Sequence, residues 1–268
     1  VRPSRLFAVI SVGSLAVAAP LLSAGAANAS GAVNYVALGD SYSSGVGAGS
    51  YSSSSGSCDR SSNAYSVLWD NAKAPSSFTF DACSGATTAD VVNSQVDVLS
   101  SSTTLVSITI GGNDVGFSNV METCVLDSTS SCVSAVDTAE SEADSQLPGE
   151  LDNALDAVAA HAPNAKVVVM DYPDLYDLSE SSGCIGLSTT DRTDLNQAAD
   201  VLDGVIQAAA SRHDDVFGDV RGYFSGHEIC DSNSWLHSVN FLDLDESYHP
   251  TASGQSGAYY PLFSSLAG

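Results

Sequence analysis

The stretch Tyr35-Val36-Ala37-Leu38-Gly39-Asp40-Ser41-Tyr42-Ser43-Ser44-Gly45 decides how this chain is read. It opens with a short apolar run, the pattern of a buried strand. It then breaks into small and polar residues at Gly39-Asp40-Ser41. A serine placed where a strand gives way to a loop or helix sits on rigid backbone with its hydroxyl exposed, as a nucleophile requires. Asp and Ser at such a junction also start turns and cap helices without any chemical role. The remainder of the chain has to separate the two readings.

Working outward, strands and helices alternate. Phe78-Thr79-Phe80, Leu105 to Ile110, Lys166 to Met170 and Val216 to Val220 read as further short strands. Asn63 to Asn71, Thr87 to Leu99, Glu150 to His161 and Thr193 to Ala210 carry apolar residues at helical spacing. Thr251 to Leu266 closes the chain as a helix broken locally by Pro261, and the serine-rich run Tyr51 to Ser57 is expected to be a flexible surface loop. This alternation predicts an α/β domain, a central parallel sheet between two helical layers. In such sheets, ligands bind outside the carboxyl ends of the strands. Those ends carry Gly39-Asp40-Ser41, Ser84-Gly85, Gly111-Gly112-Asn113-Asp114 and Asp171-Tyr172-Pro173.

The first residues read differently. Arg2 and Arg5 precede an apolar run from Leu6 to Leu22, and Ala27-Asn28-Ala29 fits a small-residue cleavage site. Residues 1–29 are therefore expected to be a secretory signal peptide, leaving 30–268 as one domain. The formal net charge of -24 argues against nucleic-acid binding, because such a surface repels phosphate. No later run has the length of a membrane span, so stable membrane insertion is not expected.

Six cysteines in an exported chain suggest disulfides. Of the fifteen possible pairings, neighbour with neighbour closes three local loops: Cys58–Cys83, Cys124–Cys132 and Cys184–Cys230. No C-x-x-C pair or His-Cys cluster has zinc spacing.

A serine nucleophile needs a base. His161 ends a helix, and His213 lies in a charged stretch where it should be solvated. His227 and His237 fall in a polar loop region. His249 lies in Tyr248-His249-Pro250-Thr251, beside a proline that fixes the backbone. Spacing favours His249 and leaves His227 and His237 open. Acyl transfer also needs donors for an oxyanion, which Asn113, the Gly85 N–H and the Ser41 N–H could supply. Asp40 and Asp114 read as structural, bonding loop amides.

These segments occur together and in order. Gly39-Asp40-Ser41, Gly85, Gly111-Gly112-Asn113-Asp114 and Tyr248-His249-Pro250 resemble the motifs of the SGNH (GDSL) hydrolase superfamily, most closely its exported three-disulfide lipases and esterases from actinomycetes. The resemblance spans the chain beyond the first thirty residues. It implies a flavodoxin-like α/β/α sandwich, no metal or cofactor, and the same neighbour pairing of cysteines. It also implies a secreted lipase or esterase that acts, as a monomer, on lipid acyl esters. Ser41 would attack, His249 would serve as base and acid, and Ser41, Gly85 and Asn113 would form the oxyanion hole. A phospholipase A-type enzyme, or a carbohydrate acetyl esterase, could use the same residues; a non-enzymatic binding module would not need them. Many superfamily members have Asp three residues before the histidine, where this chain has Glu246. The expected orienting group for His249 is the Ser247 main-chain carbonyl, with Glu246 as the alternative and Asp245 or Asp243 as poorer ones.

Overall fold

A computed structural model describes residues 32–179 and 186–268, with positions 1, 3, 4 and 8. The expected signal segment, almost entirely, and Cys184 lie outside the described residues.

The apolar run Asn34–Ala37 forms β1, and a single helical turn, α1 (Ser41–Ser44), follows it. Then come α2 (Tyr65–Lys73), β2 (Ser77–Phe80), α3 (Thr88–Asn93) and β3 (Leu105–Ile108). Two helices unread in the sequence, α4 (Phe117–Leu126) and α5 (Thr129–Ser145), precede α6 (Leu147–His161). The chain continues through β4 (Lys166–Met170), α7 (Thr189–Arg212), β5 (Val216–Gly218) and the short α8 (Arg221–Phe224). It ends in α9 (Ala252–Gly254), a π-helical turn over Gln255–Tyr259, and α10 (Tyr260–Ala267).

All five strands are parallel, in the order β2-β1-β3-β4-β5. The chain moves one way from β1 to β2, then reverses through β3, β4 and β5. Right-handed crossovers place connecting helices on opposite faces when the direction reverses. Accordingly α2 packs with α10, while α3 packs on α6 and α6 on α7. The reversal leaves a crevice between the carboxyl ends of β1 and β3. Ser41 follows β1 and Asn113 follows β3, so topology brings both to the same place.

The inner strands are buried on both faces, which explains their unbroken apolar sequences. On α6, Leu151, Leu155 and Val158 are fully buried, each stabilising the fold by ~1.5–3 kcal/mol. Two capping boxes start helices where the sequence allows them, Thr87 with Asp90 and Ser188 with Asp191. The second extends α7 four residues ahead of the apolar period that marks it in the sequence.

One expectation is corrected, that for His213, and two are refined. The serine-rich run lies at the surface as expected, with its first residue tied down: Tyr51 bridges to Ser61, and its hydroxyl donates to Glu246 Oε1 at 2.6 Å. His213 is not solvated but partly buried, with its ring nitrogens facing Asp152 and Asp156. The C-terminal helix is disturbed before Pro261, by the π-helical turn, because proline lacks an N–H and crowds the carbonyl four residues back. Cys58–Cys83 and Cys124–Cys132 are bonded. Cys230 is also disulfide-bonded, but its expected partner lies outside the described residues.

Candidate active site

The junction after β1 is built around one backbone constraint. Gly39 has φ +117°, and a Cβ there would run into the Thr109 carbonyl and Ser43 Oγ. Only glycine lets the chain turn this close to β3. Gln95 clamps that turn from both sides, accepting from the Gly39 N–H at 2.8 Å and donating to its carbonyl at 2.9 Å. Asp40 then caps α1. It accepts from the Tyr42 N–H at 3.0 Å, from Thr109 Oγ1 at 2.6 Å and from the Tyr172 hydroxyl. Burial pushes the Asp40 carboxyl up to about 6, opposed by these same bonds. Asp40 thus acts as a structural node, as Asp114 does in accepting from the N–H and hydroxyl of Thr88.

Ser41 occupies the first helical position, and its Oγ lies 2.6 Å from His249 Nε2. The other ring nitrogen, Nδ1, lies 3.0 Å from the Ser247 carbonyl oxygen. Tyr248 between them has φ +66°, a left-handed conformation rare for a bulky residue. Three contacts hold it there. Tyr42 OH donates to the Tyr248 carbonyl at 2.6 Å, the Tyr248 N–H donates to the His237 carbonyl, and the His237 N–H donates to the His249 carbonyl. Burial lowers the His249 imidazole to about 4, against the opposing pull of the Ser247 carbonyl. Glu246 faces the Tyr51 hydroxyl, and Asp243 and Asp245 are exposed.

The remaining histidines are engaged elsewhere. His227 lies flat on Trp235, 3.6 Å between ring centroids, and His237 Nε2 contacts the Gly47 carbonyl. His161 Nδ1 meets the Ala157 carbonyl one helical turn back. Of the five, His249 alone contacts the serine.

Gly85 has φ +77° beside the Cys58–Cys83 disulfide, where Ser84 N–H donates to the Cys58 carbonyl. Among the described residues, no acceptor faces the N–H of Gly85 or of Ser41. Asn113 Nδ2 donates to the Ala86 carbonyl at 2.9 Å, which orients its amide and leaves its second N–H available.

Two cavities meet here. A narrow apolar one runs from Ser41 and Asn113 between Phe117, Ala139, Ala143, Leu195 and Leu202. A broader one opens past Gly85, His249, Met121 and Phe241. The walls of the first come from α5 and α7, so a helix with no clear sequence signal shapes the site. The contacts of Tyr42, Gln95, Thr109 and Tyr172 also escaped the sequence reading. Each makes its buried polar contact with a residue distant in sequence, which leaves no local trace. Among the described residues, no group of three or more His, Cys, Asp or Glu side chains could hold a metal ion. No described helix is long and apolar enough to cross a membrane.

Comparison with known proteins identifies the family. Residues 37–256 match the GDSL-like Lipase/Acylhydrolase family. Over 99% of its length the chain is 54% identical to Lipase 1 of Streptomyces coelicolor, covering all of that protein. Two solved structures superpose closely. Phospholipase A1 from Streptomyces albidoflavus NA297 has a TM-score of 0.86 at 54% identity, and the extracellular lipase from Streptomyces rimosus 0.85 at 49%. Each match covers 88% of this chain and 100% of the other. The fold and these relatives define a carboxylic-ester hydrolase of the lipase class. The chain belongs to the GDSL-like lipase/acylhydrolase family.

Proposed function

We propose that this chain hydrolyses the acyl esters of glycerolipids through a Ser41–His249 dyad. The observation that carries this reading is the continuous line from Ser41 Oγ through both ring nitrogens of His249 to the Ser247 carbonyl. That carbonyl can only accept, so it holds the proton on Nδ1 and leaves Nε2 free as the base. Ser41 Oγ attacks the ester carbonyl carbon while its proton passes to Nε2. The tetrahedral oxyanion accepts from Ser41 N–H, Gly85 N–H and Asn113 Nδ2. Collapse breaks the ester C–O bond, and His249 returns its proton to the leaving alkoxide. Water then repeats the sequence on the acyl-serine, releasing the acid.

A neutral carbonyl stabilises the transient imidazolium less than a carboxylate does. The oxyanion donors therefore carry a larger share of catalysis here. The apolar cavity between α5 and α7 suits an acyl chain, and the similarity to a phospholipase A1 and to lipases supports glycerolipid esters as the substrate class. The same reading includes export after removal of residues 1–29. The disulfides and the extracellular relative from Streptomyces rimosus support it, and N-terminal sequencing of secreted protein should return Ser30 first.

The test is hydrolysis of p-nitrophenyl esters of graded length, of triglyceride and of phosphatidylcholine, by the natural protein and by Ser41→Ala. Loss of Ser41 should lower kcat by at least about 10⁴. Turnover that survives the substitution would end the dyad reading.

A further inference from the structure

Large apolar side chains stand together in solvent just before His249. Phe241, Leu242 and Leu244 are 76, 99 and 65% exposed, and Leu126 at the end of α4 is 66% exposed. Leu126, Phe241 and Leu244 line the broad cavity that holds Ser41 and His249, so this apolar rim is continuous with the mouth of the site. The segment carrying it is stabilised by short-range bonds. Leu242 N–H donates to Asn240 Oδ1, Asp243 N–H to the Asn240 carbonyl, and Ser247 N–H to the Leu244 carbonyl. Charged residues at the same opening are acidic: Glu122 and Asp245 line it, and Asp243 lies between Leu242 and Leu244.

Exposed apolar groups of this size beside a cleft mark an interaction surface. Charge selects what can approach. Carboxylates among the apolar tips repel an anionic leaflet and complement the outermost ammonium of a choline headgroup. We propose that the rim formed by Leu126, Phe241, Leu242 and Leu244 docks onto a zwitterionic lipid surface of the phosphatidylcholine type. The apolar tips enter the headgroup layer and present the mouth of the site to the acyl esters beneath. This rests on the glycerolipid reading above and extends it from a single lipid molecule to the aggregate that holds it.

The experiment uses the Ser41→Ala protein, which binds without turnover. It should sediment with phosphatidylcholine vesicles, and more weakly with phosphatidylglycerol vesicles at low salt. Phe241→Ser, Leu242→Ser and Leu244→Ser combined in that background should lower partitioning by about tenfold or more, with an unchanged thermal melt. Leu242→Ser alone, in active protein, should leave kcat/KM on soluble p-nitrophenyl butyrate unchanged and slow hydrolysis of phosphatidylcholine vesicles several-fold. Absence of vesicle binding, undiminished binding by the triple variant, or tighter binding to phosphatidylglycerol would overturn the proposal. Failure of the enzymatic reading shows separately, as no Ser41-dependent turnover of the soluble ester with vesicle binding intact.

Discussion

Ser41 stands at the end of a central strand, inside a lattice of buried side-chain bonds, whereas His249 stands on a loop that main-chain contacts hold. On the serine side, Asp40, Gln95, Thr109 and Tyr172 satisfy one another or the backbone, and Gln255 donates to the Tyr42 carbonyl while accepting from the Tyr65 N–H. On the histidine side, Ser247, Tyr248 and His237 act mostly through N–H and C=O groups. A fully satisfied buried network is rigid because breaking any member strands another in low dielectric. A loop held by fewer bonds opens at less cost, and it is this loop that carries Phe241, Leu242 and Leu244 of the exposed rim. Tyr42 links the halves: it follows Ser41 in sequence, and its hydroxyl reaches the Tyr248 carbonyl.

Four substitutions and one pH series test this contrast, from the strongest effect to the weakest. Asn113→Ala removes the proposed oxyanion donor on the rigid side, and kcat should fall by about 10²–10³ with KM little changed. Asp40→Ala strands the Tyr172 and Thr109 hydroxyls and the Tyr42 N–H. Urea unfolding should show a loss of ~3 kcal/mol or more, at ~1–3 kcal/mol per stranded group. Tyr42→Phe removes one bond to the histidine loop. It should cost ~1 kcal/mol of stability and lower kcat several-fold, and a pure stability effect with unchanged kcat would break the link between the halves.

The two halves also titrate with opposite sign. Asp40 is raised to about 6 in the fold, above the ~3.9 of an unfolded aspartate. The folded state therefore holds its proton between these values, and this contribution is present below ~3.9 and lost as pH rises through about 6. His249 is lowered to about 4 from an unfolded ~6.5. Its contribution is full above ~6.5 and lost as pH falls toward about 4. Urea melts should show wild type gaining stability relative to Asp40→Asn between pH 6 and 4. In the same window kcat/KM should hold nearly level until it falls near pH 4, where His249 protonates. A fall centred at ~6.5 would show an imidazole more open to water than its burial indicates.

Glu246→Gln should produce the smallest change. The carboxyl meets Tyr51, not His249, so kcat should stay within about threefold. A loss near the ~10⁴ of a triad aspartate would assign the orienting role to Glu246 instead of the proposed Ser247 carbonyl.

Legibility in the sequence followed the range of the interaction. β4 and the apolar runs of β1 and β3 announce themselves, because strands buried on both faces need continuous apolar residues. That Ser41, Gly85 and Asn113 would meet was readable because parallel α/β folds place strand ends at one crevice. Helices α4 and α5 were not. The 17 residues of α5 are rich in Ser, Asp and Glu and bury only Cys132, Val136, Ala139 and Ala143, so the apolar stripe is too thin to stand out as a period. Gln95 looks like any polar residue near a helix end until the fold brings it onto Gly39.

The order of small and polar residues at strand ends, the neighbouring cysteines and the proline after His249 are local properties, and the sequence by itself determined the sheet, two of its disulfide loops and the residues that could do chemistry. Tertiary structure decided the rest. It set Glu246 against Tyr51 and the Ser247 carbonyl against the imidazole, and it made an apolar cavity from two helices that pack beside the sheet. Hydrophobic periodicity reports which face of an element is buried, not which distant group will meet it there.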